Sequence, residues 1–279
     1  MDEYITHIKS KSSYLDINFH EIFRYKYLAF LFYKRNYTTR YKQTILGPIW
    51  LILNPLLTVT LYSIVFGRIA HLSTDGIPPF VFYLCSNSIW TFFSTSLTQI
   101  SHTFTDNAKI MGKVYFPRLI MPISSVLTGL LDLIIQLAML FFIMTFYSFK
   151  GFNFHISYSI ILVPILIIQV GLLGLGFGII IASLTTKYRD LAVLVSFGVQ
   201  LWMYISPVVY TSSLVPSKYM SIYMINPMAP ILECWRNIVI GSGVFLLNYW
   251  IISLFVTGVV LLIGVIIFNK IEKTFMDTV

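Results

Sequence analysis

Charged side chains are scarce in this sequence, and their scarcity excludes most classes of soluble protein. Asp, Glu, Lys and Arg make up 11% of the 279 residues, whereas hydrophobic residues make up 57%. A soluble globular domain carries about 25% charged residues, so an ordinary soluble fold is excluded. The mean hydropathy of +0.80 indicates a membrane protein instead.

Cysteine, metal-ligand clusters and catalytic motifs are also missing. Cys85 and Cys234 are the only two cysteines, and no CxxC or Cys/His spacing predicts a disulfide or a metal site. Gly112 and Lys113 lack the spacing of a phosphate-binding loop, and no Ser/His/Asp or paired-carboxylate set stands out. We therefore expect no catalytic residue, no metal and no cofactor bound by this chain.

Long uncharged stretches dominate what is present. Residues 43–67 carry no formal charge and lie between basic residues. A bilayer core needs about 20 apolar residues in a helix, because backbone groups find no water there. Pro55 lies inside this stretch and predicts a kink. The first 45 residues show no apolar segment typical of a cleavable signal, so we expect the first span to direct insertion.

Comparable stretches recur along the chain and predict an all-α polytopic membrane protein. An N-terminal segment, residues 1–45, precedes a single transmembrane domain, residues 46–279. Six spans are predicted near residues 46–69, 79–100, 119–147, 156–185, 191–211 and 246–268. Prolines interrupt residues 212–245, which predicts a re-entrant helical segment before the last span.

The N-terminal segment contains an amphipathic pattern. Its apolar residues recur at three- and four-residue spacing: Phe19, Ile22, Phe23, Tyr27, Phe30 and Leu31. This spacing is typical of a helix lying in the headgroup plane of a membrane. The alternative is a helix packed on protein, but so little soluble protein is available that the interfacial helix is favoured.

The net charge of +8 could indicate a nucleic-acid partner, but the placement of the basic residues favours membrane topology, so no nucleic acid is expected. With the N-terminus inside, fifteen of the 19 Lys and Arg residues lie in inner segments. The remaining four, Arg68, Lys150, Lys218 and Arg236, lie outside. By the positive-inside rule, both termini are expected in the cytoplasm.

Three charged residues within apolar stretches are candidates for special roles. Asp132 interrupts the third predicted span, and an ionisable residue there is a functional-site hypothesis. Without a convincing partner in another span, it is interpreted as a neutral or hydrogen-bonded side chain facing the bundle interior. The alternative is a proton carrier. Glu233 and Arg236 are expected to neutralise each other, with gating of the outer exit as the alternative.

A glycine-rich run lies in the fourth predicted span. It superficially suggests a nucleotide loop, but it is surrounded by apolar residues and no βαβ pattern accompanies it. Gly174, Gly178 and Ala182 form a ridge of small side chains at four-residue spacing. Such a ridge predicts close packing of two helices.

Two polar and aromatic stripes are candidates for a substrate path. Side chains four residues apart share one helix face. The first and fifth predicted spans carry such stripes, namely Trp50, Asn54, Thr58 and Tyr62, and Ser196, Gln200 and Tyr204. Rings and hydrogen-bonding groups together suit a glycan, whereas interhelical hydrogen bonds and membrane-interface aromatics are the alternative.

Five motifs resemble one family of membrane proteins. They are RYKQTILGPIW (residues 40–50), NAKIMGKVYFPR (107–118), KYRDL (187–191), SPVVY (206–210) and NPMAP (226–230). The chain is similar to the membrane (permease) subunits of type-two ABC exporters, and most similar to the group that exports O-antigen and other polysaccharides. The likeness covers roughly residue 24 to the C-terminus.

This resemblance implies partners and an energy source. Such permeases form homodimers with two copies of a separate ATPase subunit, which binds the ATP and magnesium. Residues 101–118 resemble the segment that couples to the ATPase, although topology signalling alone is the alternative. The candidate coupling residues are Asn107, Lys109, Lys113, Tyr115, Pro117 and Arg118.

The function that follows is ATP-driven export across the bacterial cytoplasmic (inner) membrane. The expected substrate is a polyprenyl-linked glycan of the O-antigen, capsule or teichoic acid type, moved through a channel at the homodimer interface. Arg35, Arg40 and Lys42 are candidates for its diphosphate head, or for membrane lipids with anionic heads. The alternatives are an exporter of small hydrophobic compounds, an ion-coupled transporter using Asp132, and a non-transporting scaffold.

Overall fold

The computed structural model describes residues 19–42, 44–111, 113–114, 116–154, 158–185 and 190–275. These residues form helices and connecting turns, without strands in the described ranges. The α-helices are α1 (Phe19–Arg24), α2 (Lys26–Tyr41), α3 (Trp50–Tyr62), α4 (Pro79–Ser101), α5 (Thr103–Met111), α6 (Ile120–Phe149), α7 (Val163–Thr185), α8 (Leu191–Ile205), α9 (Ser217–Tyr223), α10 (Met228–Ile240) and α11 (Leu247–Phe275). Some of the predictions fall on residues outside the described ranges. These are residues 1–18, the motif residues 187–189 and the C-terminal residues 276–279.

Four of the predicted spans are helices long and apolar enough to cross a bilayer. They are Gly47–Ile69, Ile120–Phe149, Tyr158–Thr185 and Leu247–Ile271. The first includes a 3₁₀ turn before α3 and a π-helical segment after it. These helices confirm an all-α, multi-pass membrane protein.

The second and fifth predicted spans have a different character. Helix α4 has 23 residues, about 35 Å, but it is rich in polar residues and most of its side chains are buried. Helix α8 has only 15 residues, about 22 Å, and ends at Ile205. Ser206 then adopts extended backbone because it precedes Pro207. The fifth helix is therefore shorter than the predicted range 191–211.

Helix α2 has one face of exposed apolar side chains and an opposite face that packs on protein. Tyr27, Phe30 and Leu31 are more than half exposed, as an interfacial helix requires. On the other side, Phe32 is buried and its ring lies 5.6 Å from that of Phe116. The expectation that this helix lacks a protein surface to pack on is therefore wrong, because α2 packs along α6.

Helix α4 lies at the centre of the helical bundle. It packs against α3, α6, α7, α8 and α10. Its Phe93 ring lies 5.1 Å from Trp202 of α8, which in turn lies 5.0 Å from Phe177 of α7. Edge-on aromatic pairs of this kind hold three helices together.

The small-residue ridge of α7 packs on α4, which confirms the packing interpretation. A Cβ on Gly174 would lie 3.2 Å from the Ser96 Cβ, and one on Gly178 would lie 2.7 Å from the Ile100 Cβ. Ala182 is fully buried. The helices approach this closely only because the ridge lacks larger side chains.

We expect Gly178→Ala to destabilise the bundle by about 1–3 kcal/mol. The added methyl group meets the branched Cβ of Ile100, which cannot move without shifting α4. Gly198→Ala on α8 is the matched control, because nothing lies within 4 Å of that position. The control is expected to be neutral or to stabilise by up to about 1 kcal/mol, since alanine favours helix. Thermal unfolding of both variants in detergent micelles measures the difference, and equal melting temperatures would contradict it.

The predicted re-entrant region contains two short helices, α9 and α10. Within α10, Glu233 and Arg236 form a fully buried salt bridge, so mutual neutralisation is confirmed. The Arg236 guanidinium also donates to the carbonyl oxygens of Pro207 (2.5 Å) and Tyr210 (3.2 Å). It lies 4.8 Å from the centre of the Phe82 ring. The pair thus joins α10 to α4 and to the segment after α8.

Candidate substrate groove and coupling segment

One face of α4 is lined with polar side chains. Asn87, Thr91, Ser94, Thr98 and Gln99 recur at helical spacing and border open cavities. This face extends over residues 87–99, about 18 Å of helix. The sequence analysis does not predict this polar face, because it identifies the second span from its lack of charge alone. The spacing of these polar residues is nevertheless visible in the sequence.

The first stripe faces this polar side of α4. Trp50, Asn54 and Thr58 of α3 line a cavity of about 300 Å³. Asp132 and Gln136 of α6 line the same cavity. Helices α3, α4 and α6 supply most of its wall, and Arg40 of α2 and Met203 of α8 complete it.

The second stripe lines an adjoining cavity of about 440 Å³. Ser196 and Gln200 of α8 form one side of it. Trp90, Ser94 and Met203 line both cavities. The two cavities therefore make one groove, which we call the α4 groove and define by the residues that line them.

Two stripe residues lie outside this lining. The Tyr62 hydroxyl donates to the Met203 sulfur at 3.3 Å and so connects α3 to α8. Tyr204 of α8 is 48% exposed. The structure thus brings five of the seven stripe residues to the α4 groove.

Asp132 has a charged partner that sequence reasoning did not find. Arg40, at the end of α2, donates from Nη1 to Asp132 Oδ2 at 2.5 Å. Asp132 is 5% exposed, and Arg40 borders the same cavity. The partner was missed because it comes from the N-terminal segment and not from another span. A carboxylate held by arginine disfavours the role of proton carrier.

Arg35 and Asn107 were predicted to serve different functions, yet they contact each other. Arg35 Nη2 donates to Asn107 Oδ1 at 2.7 Å, which ties α2 to α5. The guanidinium lies 4.9 Å from the centre of the Phe32 ring. Desolvation by burial lowers the pKa of Arg35 from its ordinary value. Lys42, by contrast, is exposed beyond the end of α2.

Among the remaining coupling candidates, Lys109 belongs to α5, and Lys113, Pro117 and Arg118 lie between α5 and α6. Lys113 is exposed and Pro117 is half-buried. Arg118 is only 9% exposed, so most of its side chain packs inside the fold, and its role in coupling stays a prediction. Its place inside the fold favours a role in holding this segment. Tyr115 and the Lys109 side chain lie outside the described residues.

Comparison with known proteins places this arrangement in a family. The model of the ABC-2 type transporter family matches residues 27–240, from α2 to the end of α10. This chain belongs to the ABC-2 type transporter family. The match includes the α4 groove, the Arg40–Asp132 pair and α5, and it confirms the resemblance carried by the five motifs. Membership makes the chain a transport subunit and implies a partner ATPase.

Relatives within the ABC-2 family carry names from polysaccharide export. The chain is 32% identical over 241 residues to O-antigen export system permease protein RfbA of Klebsiella pneumoniae, covering 85% of this chain and 89% of the relative. A protein of the same name from Myxococcus xanthus is 26% identical, with coverage of 78% and 82%. Polysialic acid transport protein KpsM of Escherichia coli is 26% identical over 252 residues, with coverage of 88% and 93%.

Proposed function

We propose that this chain is the transmembrane subunit of an ATP-driven exporter that moves a lipid-linked polysaccharide across the bacterial cytoplasmic membrane. The observation that carries the proposal is the α4 groove, where indole rings lie beside hydroxyl and amide groups. Sugar rings present apolar faces for stacking and hydroxyls for hydrogen bonding, so they need both kinds of wall. The names of the relatives support the same substrate class.

The borders of the groove support a homodimer. Helices α3 and α8 flank it and present apolar side chains outward, including Leu57 and Leu61 on α3 and Phe197 and Leu201 on α8. In our proposal a second copy covers this side, so that two grooves enclose one path for the glycan. Six spans, a re-entrant α9–α10 pair and cytoplasmic termini are parts of this proposal.

Energy enters through a separate ATPase, present in two copies, that holds ATP and magnesium. We place its docking site at α5 and the residues that follow it. Asn107 on α5 contacts Arg35 on α2, and Arg40 on the same helix contacts Asp132 in the groove. Since α2 is a continuous helix, movement of α5 has a short mechanical connection to the groove.

The test is ATP hydrolysis by this chain, purified with its ATPase in lipid, with and without a lipid-linked glycan. We expect the glycan to stimulate hydrolysis. Trp50→Ala should raise the half-stimulating glycan concentration about fivefold to tenfold, because a stacking ring is lost from the groove.

Phe142→Ala is the matched control, because Phe142 is 76% exposed on α6 and lies outside the groove. If the glycan stimulates ATP hydrolysis in both variants as it does in the wild type, Trp50 does not line the glycan path. Absence of stimulation by any glycan in the wild-type complex would contradict polysaccharide export itself.

A further inference from the structure

The α4 groove contains two buried acceptor oxygens that the export proposal does not yet use. We infer that Asp132 and Gln136 form a hydroxyl-recognition site, in which their free oxygens accept hydrogen bonds from adjacent sugar hydroxyls of the substrate. This inference rests on the proposed function and adds to it the residues that select a hydroxyl-bearing segment of the glycan.

Both side chains are buried and lack a partner for one oxygen. Asp132 is 5% exposed and Gln136 is 3% exposed. Among the described residues, neither Asp132 Oδ1 nor Gln136 Oε1 has a hydrogen-bond partner. Because Asp132 Oδ2 is engaged by Arg40, the free Oδ1 is the oxygen left for a ligand.

The two oxygens belong to one site. Positions 132 and 136 are four apart on α6, so their side chains lie on the same face about one turn from each other. Both residues line the cavity that Trp50, Asn54 and Thr58 also line. A ligand stacked on the Trp50 ring would therefore face the two acceptors from within the same cavity.

The chemistry of the pair selects the ligand. A carboxylate paired with arginine can only accept hydrogen bonds, and a free amide oxygen is also an acceptor. The complementary ligand must therefore donate, and it must tolerate a nearby carboxylate charge. Neutral hydroxyl groups satisfy both conditions, whereas the phosphate oxygens of a lipid carrier satisfy neither. The site is thus assigned to the sugar part of the substrate.

The unpaired oxygen of Gln136 also affects stability. A buried acceptor without a partner costs folding free energy. Gln169 on α7 is equally buried, but Trp250 Nε1 donates to its oxygen at 2.8 Å and its nitrogen donates to Ser253 at 3.0 Å. The described residues therefore include one buried glutamine, Gln169, whose oxygen is paired within the fold and one, Gln136, whose oxygen is not.

The experiment compares Gln136→Met with Gln169→Met in the full chain in lipid nanodiscs. Gln136→Met should raise the melting temperature by about 2–4 °C, since it removes the unpaired acceptor. Gln169→Met should lower it, because Trp250 and Ser253 lose their partner. Opposite signs support the assignment, and a loss of stability in Gln136→Met would overturn it.

Binding is then followed by tryptophan fluorescence, because Trp50 and Trp90 line the groove. The probes are short oligosaccharides of glucose, galactose, mannose and rhamnose, each with its permethylated form, which has lost every hydroxyl donor. We expect the wild type to prefer at least one native form over its permethylated form, and Gln136→Met to reduce that preference about threefold to tenfold. Comparing the preference between wild type and variant cancels the extra bulk of the methyl groups.

The outcomes separate this inference from the export proposal. If no native probe is preferred, or if Gln136→Met keeps the full preference, the hydroxyl-recognition site is wrong, while glycan-stimulated ATP hydrolysis still decides export. If the preference is present and depends on Gln136 but no lipid-linked glycan stimulates hydrolysis, the recognition site stands and the export proposal fails.

Discussion

Arg236→Met is expected to cost about 3–5 kcal/mol of folding free energy, because it leaves the Glu233 carboxylate buried without its cation. Both residues of this pair are almost fully buried. Glu233 also accepts hydrogen bonds from the backbone N–H groups of Ser212 and Val244. Arg236 in turn donates to two carbonyl oxygens after α8. Loss of the guanidinium therefore weakens α10 and the segments on both sides of it.

Denaturant unfolding in detergent micelles measures this loss. The double variant Glu233→Gln/Arg236→Met should recover part of the stability, because it leaves no uncompensated charge. Arg68→Met is the matched control, since Arg68 is exposed, and it should change stability by no more than about 0.5 kcal/mol. A single variant as stable as the wild type would contradict a structural role for the pair and would favour the alternative role in gating.

The sequence predicted the spanning helices well where hydropathy alone decides them. The long apolar stretches that form α6, α7 and α11 contain few charged residues, and their prolines lie only near the helix ends. Near α8 the same reasoning extended the helix too far. Lack of charge continues beyond Ile205, but Pro207 forces the preceding residue out of helical backbone.

The candidate site was only partly predictable, for reasons visible in particular residues. The stripes on α3 and α8 follow from local spacing, so Trp50 and Gln200 could be found without a structure. The Arg40–Asp132 pair joins residues 92 positions apart. Nothing in local spacing connects them, because the contact depends on how α2 packs along α6. The same holds for Arg35 and Asn107, which were assigned to different functions and meet only in the folded chain.

Arg40→Ala is the second substitution with a large expected effect. It leaves the buried Asp132 carboxylate without its arginine, and we expect a loss of about 1–3 kcal/mol. This is less than for a fully buried pair, because the Arg40 side chain is 39% exposed. Arg40→Ala/Asp132→Asn should recover most of this stability, since no unpaired charge remains. Lys42→Ala is the control, because Lys42 lies on the same segment and is exposed.

The double variant also tests whether Arg40 receives the anionic head of the substrate. Arg40 borders the groove and is partly exposed, so the guanidinium can bind a diphosphate through nitrogens other than the Nη1 that holds Asp132. We expect the double variant to fold normally yet to need about tenfold more lipid-linked glycan for half-stimulation of ATP hydrolysis. A double variant that regains wild-type stimulation together with its stability would show that Arg40 serves only to neutralise Asp132. The diphosphate head would then have to be bound elsewhere, with exposed Lys42 as the next residue to test.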